Sequence, residues 1–233
     1  MPPGTIGGEL KGQGWYLHRV GRLKKGRDTM KMRVTFCVMA VVLLPLLAAA
    51  QDSTGVPAAS AGYAIGSTVS ADIQLKDIYG KEHSLKDYRG KVVFIHFWSI
   101  VCPYEKVAEP KCKDLQKDFA DKGVVQIAIN ANQRELKADA DPPYADLREH
   151  VEKAGVNFIV TVDPGNKVTD LFDGKSTPHC FVIDRQGTLR YSGALDDDPK
   201  GEKGASATNY VRDAIQAVLA GQPVAVATTK PYG

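Results

Sequence analysis

Residues 90–110 read GKVVFIHFWSIVCPYEKVAEP. Residues 92–98 are all apolar apart from His96, so both faces of a strand formed by them would be apolar. This pattern predicts a central strand that is covered on both faces. Residues 104–121 predict a helix, because their apolar side chains recur at helical spacing. The apolar positions of this helix are Ala108, Cys112, Leu115 and Phe119. Cys102 therefore lies at a junction between a buried strand and the helix that follows it.

The position of Cys102 predicts a redox role. A thiol just before a helix faces the unpaired first-turn N–H groups and the positive end of the helix dipole. Both favour the thiolate, which is the form that attacks disulfides or peroxides. Pro103 has no N–H, but it costs no hydrogen bond at the first helical position, because an N–H there has no partner within the helix. The alternative is a buried and inert cysteine, which the surrounding pattern disfavours.

The remaining elements predict an α/β fold. Strands and helices alternate after an N-terminal hairpin, and a second hairpin and a helix close the domain. Parallel crossovers followed by an antiparallel hairpin give a mixed central sheet flanked by helices, with an N-terminal β-hairpin. The predicted ranges are hairpin strands 73–78 and 83–85, strand 124–129, helix 144–153, strand 157–162, helix 168–172, hairpin strands 180–184 and 188–192, and helix 209–220.

Two stretches carry a resemblance to a known superfamily. Residues 90–110 resemble the strand, active-site turn and helix of thioredoxins and peroxiredoxins. Residues 176–193, STPHCFVIDRQGTLRYSG, are similar to the cis-proline loop and terminal hairpin of the same superfamily. The likeness covers residues 63–223 and is strongest to redoxins, the alkyl hydroperoxide reductase and thiol-specific antioxidant relatives, including peroxiredoxin-like and TlpA-like proteins. It implies a thioredoxin-like fold.

The resemblance also implies roles for five residues. Cys102 matches the attacking cysteine, whereas Glu105 stands in place of the second cysteine of a C-x-x-C motif and is expected to act as a local modulator. Ser99 matches the hydroxyl that orients the peroxide in peroxiredoxins. Thr177 and Pro178 match the cis-proline site, where the Thr177 backbone would pair with a substrate as an added strand.

A second thiol is needed if the chemistry is intramolecular. Cys112 is ten positions along the helix from Cys102, or about 15 Å, so the two cannot form a disulfide while the helix is intact. Cys180 lies two residues after Pro178 and is the candidate resolving thiol. Strand alternation leaves open that its side chain points into the core instead.

Three functions remain open from the sequence. The first is a peroxiredoxin-like oxidoreductase, and the second is a TlpA-like thiol:disulfide oxidoreductase that acts through intermolecular mixed disulfides. The third is a non-catalytic binding module, in line with the missing second cysteine. The expected partners are a thiol reductant or a disulfide-bearing protein. For a peroxiredoxin-like oxidoreductase, a small peroxide is expected as well. We expect no cofactor and no metal, because His96 and His179 belong to no regularly spaced His/Cys set.

Charge argues against nucleic acid as a partner. The chain has 233 residues with 30 basic and 27 acidic side chains, and eight of the basic ones lie in the first 50 residues. Without that segment 22 basic and 25 acidic residues remain, so the body of the protein is mildly acidic. Such a surface has no basic stripe to neutralise phosphates.

Residues 30–50 have the pattern of a secretory signal. Lys31 and Arg33 precede an apolar run that ends in Ala48-Ala49-Ala50. A membrane anchor is the alternative, but the run is shorter than the ~20 apolar residues of a comfortable span. Export to the periplasm or beyond is therefore expected, with membrane contact through an uncleaved signal alone. The predicted organisation is an upstream extension (1–29), signal peptide (30–50), flexible linker (51–62), redoxin domain (63–223) and C-terminal tail (224–233).

Overall fold

The structure is a computed structural model and describes residues 62–233. The predicted upstream extension and signal peptide, and all but the last residue of the linker, lie outside the described residues. Among residues 62–233 there is no helix with the length and apolar character needed to cross a bilayer.

A seven-stranded mixed sheet forms the centre of the domain. Its strands are β1 Gln74–Asp77, β2 Glu82–Ser84, β3 Val92–Phe97, β4 Val124–Asn130, β5 Ile159–Val162, β6 Cys180–Ile183 and β7 Leu189–Gly193. They are arranged in the order β2-β1-β5-β4-β3-β6-β7. The helices are α1 Pro103–Phe119, α2 Ala145–Ala154, α3 Lys167–Leu171 and α4 Tyr210–Leu219.

Strand pairing confirms the predicted fold class. β3, β4 and β5 run parallel, whereas β1 joins β5, and β6 joins β3, in antiparallel fashion. β1 with β2 and β6 with β7 form the two predicted hairpins. All six residues of β3 are buried, because helices or loops cover both faces of the sheet at its centre.

Each face of the sheet has its own hydrophobic core. Phe94 and Trp98 pack with α1 and α4 on one face, while Val93, Ile95 and Phe97 pack on the other. His96 shares the face of Phe94, since their rings stack 5.3 Å apart. This alternation along one strand sends the His96 imidazole into the core beneath α1.

Element ends differ from the predictions by at most two residues. The helix predicted over 144–153 is observed at Ala145–Ala154, and the strand predicted over 157–162 begins at Ile159. Leu85, predicted in the second hairpin strand, instead begins a 3-10 helix. The Ser84 and Asp87 capping box favours that turn over continued strand.

The C-terminal tail packs along the sheet edge beside β7. The Ser192 N–H donates to the Ala227 carbonyl at 3.1 Å, and the Thr229 N–H donates to the Ser192 carbonyl at 3.2 Å. A β-carbon at Gly193 would lie 2.2 Å from the Thr229 hydroxyl oxygen, so this close approach requires glycine. The tail thus runs from α4 back toward the loop that precedes β6.

Candidate active site

Cys102 occupies the N-cap position of α1, as the sequence predicted, and its side chain is partly exposed. Pro103 is the first helical residue. The sulfur does not bond to the first-turn N–H groups; its S–H donates to the Thr177 carbonyl at 2.9 Å. The sulfur thus lies at the start of α1, and in this conformation a carbonyl on the facing loop accepts the thiol hydrogen.

The facing loop holds the predicted cis-proline site. The Thr177–Pro178 peptide bond is cis, as the resemblance implied. Pro178 is buried, whereas Thr177 is partly exposed and presents its backbone beside the sulfur. The structure thus brings together three of the predicted site residues, Cys102, Thr177 and Pro178, from two distant parts of the chain.

The end of the C-terminal tail lies over this loop. The Ser176 hydroxyl donates to the Tyr232 carbonyl at 3.1 Å, and the Tyr232 ring lies 6.0 Å from the ring of Tyr104. A β-carbon built on Gly233 would lie 2.8 Å from the Thr177 carbonyl oxygen and 2.9 Å from its nitrogen. The tail therefore covers the backbone groups that a pairing substrate strand would use.

Ser99 is held by a carboxylate that the sequence reasoning missed. Its hydroxyl donates to Glu135 at 2.5 Å, and the Ile100 N–H donates to the other oxygen of Glu135 at 3.0 Å. The amides of Asn130 and Asn132 complete the set at 2.6 and 2.7 Å. Glu135 is buried, so this network fixes the chain just before Cys102.

No sequence signal identified Glu135. It lies in a stretch without helical or strand periodicity, and 36 residues separate it from Ser99. Such long-range polar pairs leave no periodic pattern, because the chain path between them is set by tertiary packing.

Glu105 lies beneath the active turn with no hydrogen-bond partner. Its side chain is buried in the first turn of α1, and its Oε1 is 3.7 Å from His96 Nε2. Burial raises the pKa of Glu105 well above its ordinary value, and the nearby Glu109 and Cys102 add to the increase. Burial also lowers the pKa of His96 to about 3. The His96 imidazole is therefore neutral near pH 7, and burial disfavours the ionised form of Glu105.

The other two thiols of the described region are buried. Cys112 and Cys180 both lie in the core cluster beneath α1, and burial raises the pKa of each thiol. Cys180 pairs with His96 across β3 and β6, so its side chain points to the core, one of the two outcomes left open by the sequence. In this conformation Cys102 alone among the three presents its sulfur toward solvent.

A shallow cleft opens beside the turn, with a volume of about 300 Å³. It runs between the chain before Cys102 and the loop that carries Thr177. Such a volume suits a few side chains of a peptide rather than a large cofactor. The side chains and backbone that form its walls include Phe97, Ser99, Asn132, Thr169, Gly174 and Thr177.

Known proteins share this architecture. The chain is similar to thiol-disulfide oxidoreductase ResA of Geobacillus thermodenitrificans (strain NG80-2), with 30% identity over 156 residues, which is 66% of this chain and 84% of the relative. The crystal structure of a hypothetical protein from Sinorhizobium meliloti 1021 aligns with a TM-score of 0.62 and 25% identity, covering 73% of this chain and 91% of that chain.

A third similarity shows the thioredoxin-like fold. It is to a protein described as thiol:disulfide interchange protein DsbE from Chlorobium tepidum, with a TM-score of 0.53 and 22% identity, covering 68% of this chain and 99% of that chain. The sequence pattern of the AhpC/TSA family matches residues 66–192, from before β1 to the last residue but one of β7. These residues hold the cysteine at the start of α1, the cis-proline loop and the sheet that joins them, and the chain belongs to the AhpC/TSA family.

Proposed function

We propose that this protein is a thiol-disulfide oxidoreductase that acts through mixed disulfides between Cys102 and other molecules. One observation carries the proposal: of the three thiols within residues 62–233, only Cys102 is partly exposed, at the start of α1 against the backbone of Thr177, while Cys112 and Cys180 are buried. The relatives named thiol-disulfide oxidoreductase support the same reading.

The exchange proceeds in two steps. The Cys102 thiolate attacks one sulfur of a substrate disulfide, forms a new S–S bond to it, and releases the other substrate sulfur as a thiolate. A thiol reductant then attacks the substrate sulfur of this mixed disulfide, so Cys102 leaves as a thiolate. The substrate sulfur ends in a disulfide with the reductant.

Glu105 explains why the second step needs another molecule. It stands in the position of a second cysteine, and a carboxyl group cannot form a disulfide. We propose that it modulates Cys102 from beneath the turn, where burial raises the pKa of its carboxyl group. The Thr177 backbone, next to Pro178, would align the substrate chain beside the sulfur once the tail moves aside.

A peroxidase reading is supported less well. It requires a hydroxyl free to orient the peroxide, and the Ser99 hydroxyl instead donates to Glu135. It also requires a thiol that condenses with a sulfenic acid on Cys102, and the candidate Cys180 points into the core. Family membership alone fits either chemistry, so the oxidising substrate is the point to test.

We propose that this chemistry takes place outside the cytoplasm. The signal-like pattern at residues 30–50 supports export, and its removal would leave three cysteines. An odd number of cysteines in an oxidising compartment leaves at least one thiol free to cycle. The partners would then be an exported disulfide-bearing protein and a thiol reductant.

Exchange with a peptide disulfide tests the function. We expect wild type and Cys180→Ala to reduce the peptide at similar rates with a thiol reductant present, and Cys102→Ser to lose at least about 100-fold in rate. Mass spectrometry is expected to capture the mixed disulfide on Cys102. Equal rates for wild type and Cys102→Ser would overturn the proposal. Faster consumption of hydrogen peroxide than of the peptide disulfide would replace it with the peroxidase reading.

A further inference from the structure

We infer that His96, Glu105 and Cys112 form a binding site for a divalent transition-metal ion of the Zn²⁺ class. One ligand atom from each of these side chains lies within 4.8 Å of the other two. All three residues are buried, and they lie in the core beneath the active turn. We call this set the buried triad.

The spacing of the buried triad fits a small ion. Tetrahedral zinc binds nitrogen, oxygen and sulfur at about 2.0–2.3 Å, which places neighbouring ligand atoms roughly 3.5 Å apart. His96 Nε2 and Glu105 Oε1 are already 3.7 Å apart. The widest separation in the triad is at most 4.8 Å, so side-chain movements of roughly 1 Å would close the set around an ion.

The unpartnered atoms of the triad are the second and independent observation. Within the part of the chain that the structure describes, both imidazole nitrogens of His96 and both carboxyl oxygens of Glu105 lack a hydrogen-bond partner. A buried polar group without a partner costs about 1–3 kcal/mol, so native proteins rarely leave several together. A metal ion bound to one imidazole nitrogen and to the carboxylate would satisfy polar atoms that form no hydrogen bond within residues 62–233.

The donor chemistry selects the class of ion. Imidazole and thiolate are ligands of zinc and its neighbours, whereas Mg²⁺ and Ca²⁺ prefer oxygen alone. The ion would bind the Glu105 carboxylate and the Cys112 thiolate, so any proton that these groups carry is released to solvent. Their two negative charges balance the ion, with the imidazole neutral.

The triad is separate from the exchanging thiol. Cys102 is the N-cap residue of α1, while Glu105 and Cys112 lie on the buried face of that helix and His96 lies in β3. A bound ion would therefore fasten the first three turns of α1 to the centre of the sheet. We infer a stabilising site that fixes the helix carrying the reactive cysteine.

Cobalt substitution tests the site through its colour. The full chain is stripped with a chelator under denaturing conditions and refolded with Co²⁺, because the triad is closed to solvent in the folded protein. We expect one Co²⁺ per chain, a thiolate-to-cobalt charge-transfer band, and the visible bands of a tetrahedral ion. Zn²⁺ is expected to displace Co²⁺ and to raise the thermal unfolding temperature.

Matched variants assign the band to the triad. Cys112→Ser is expected to lose the charge-transfer band, whereas Cys180→Ser, which removes a buried thiol from the neighbouring strand, and Cys102→Ser keep it. Glu105→Gln is expected to weaken binding by at least about tenfold, because it removes a charged ligand. Since Cys102→Ser loses exchange and keeps the metal, failure of one proposal is distinguishable from failure of the other.

Two results would overturn the inference. One is folded wild-type protein that shows no charge-transfer band after refolding with excess Co²⁺. The other is a band that survives Cys112→Ser but disappears in Cys102→Ser. If Cys112→Ser does not fold, Glu105→Gln decides: Co²⁺ binding weakened by at least about tenfold supports the triad, and unchanged Co²⁺ binding contradicts it.

Discussion

Glu135 fixes the active turn at the scale of single residues. Its two carboxylate oxygens accept four hydrogen bonds, from the Ser99 hydroxyl, the Ile100 N–H and the side-chain amides of Asn130 and Asn132. Hydrogen bonds to a charged acceptor are worth about 1.5–3 kcal/mol each, more than neutral ones. This residue therefore holds the chain leading to Cys102 more firmly than any local turn preference would.

We predict that Glu135→Gln destabilises the protein by about 2 kcal/mol. The new amide turns an N–H₂ group toward donors that need an acceptor, so a buried donor loses its partner. Urea unfolding followed by Trp98 fluorescence measures the change. Glu149→Gln is the control, because Glu149 lies on an exposed helix face and its pair with Lys153 contributes little. Equal stability of the two variants would contradict the role assigned to Glu135.

At the scale of elements, the C-terminal tail occupies the surface where we propose that the substrate strand pairs. It pairs with β7 and ends over Ser176 and Thr177 on the cis-proline loop. Tyr232 anchors it, since its hydroxyl donates to Asp196 at 2.8 Å and its ring lies against Tyr104. A substrate strand can pair with Thr177 only after this segment moves.

Loosening the tail is expected to raise the exchange rate with a peptide disulfide more than the rate with a small disulfide. We predict that Tyr232→Ala speeds exchange with a peptide disulfide several-fold, while the rate with a small disulfide changes little, because a small reagent needs the sulfur and not the Thr177 backbone. Stopped-flow rates with both substrates check this. Val226→Ala, an exposed tail position, should leave both rates unchanged. A similar change with both substrates would argue against strand pairing at Thr177.

For the whole molecule, a buried histidine links stability to pH. Burial lowers the pKa of His179 from 6.5 to about 4. The Lys175 N–H donates to its Nδ1 at 3.3 Å, and its Nε2 lies 3.2 Å from the Ser192 hydroxyl. A proton on Nδ1 would break the first of these contacts, so the folded state holds the neutral ring.

We predict that stability falls between pH 6.5 and pH 4. In this window the unfolded chain binds a proton at His179 that the folded protein does not, so acid favours unfolding. The contribution of His179 is fully present above pH 6.5, and its complete loss amounts to about 3 kcal/mol. Urea unfolding at several pH values should show a shallower slope for His179→Gln. The same slope in both proteins would assign the acid sensitivity to other groups.

The amino-acid sequence by itself determined the fold class and the placement of Cys102 between a buried strand and a helix. Buried strand 92–98 and the helix after Cys102 follow from hydrophobic periodicity, which depends on local side-chain spacing. Family likeness of two short stretches was sufficient for the thioredoxin-like fold, for the cis bond at Thr177–Pro178 and for a thiol redox function. The sequence left open whether the substrate is a disulfide or a peroxide, and the relatives favour a disulfide.

Only the tertiary structure decided which distant polar groups meet. Glu135 reaches Ser99, and the tail reaches Thr177, across separations that leave no periodic signal in the chain. The buried triad was missed for the same reason: His96 lies in a strand and Cys112 two turns beyond Glu105 in a helix, a spacing outside any local ligand motif. Local preferences set strands and helices, whereas the packing of α1 on the sheet selects the side chains that share one buried site.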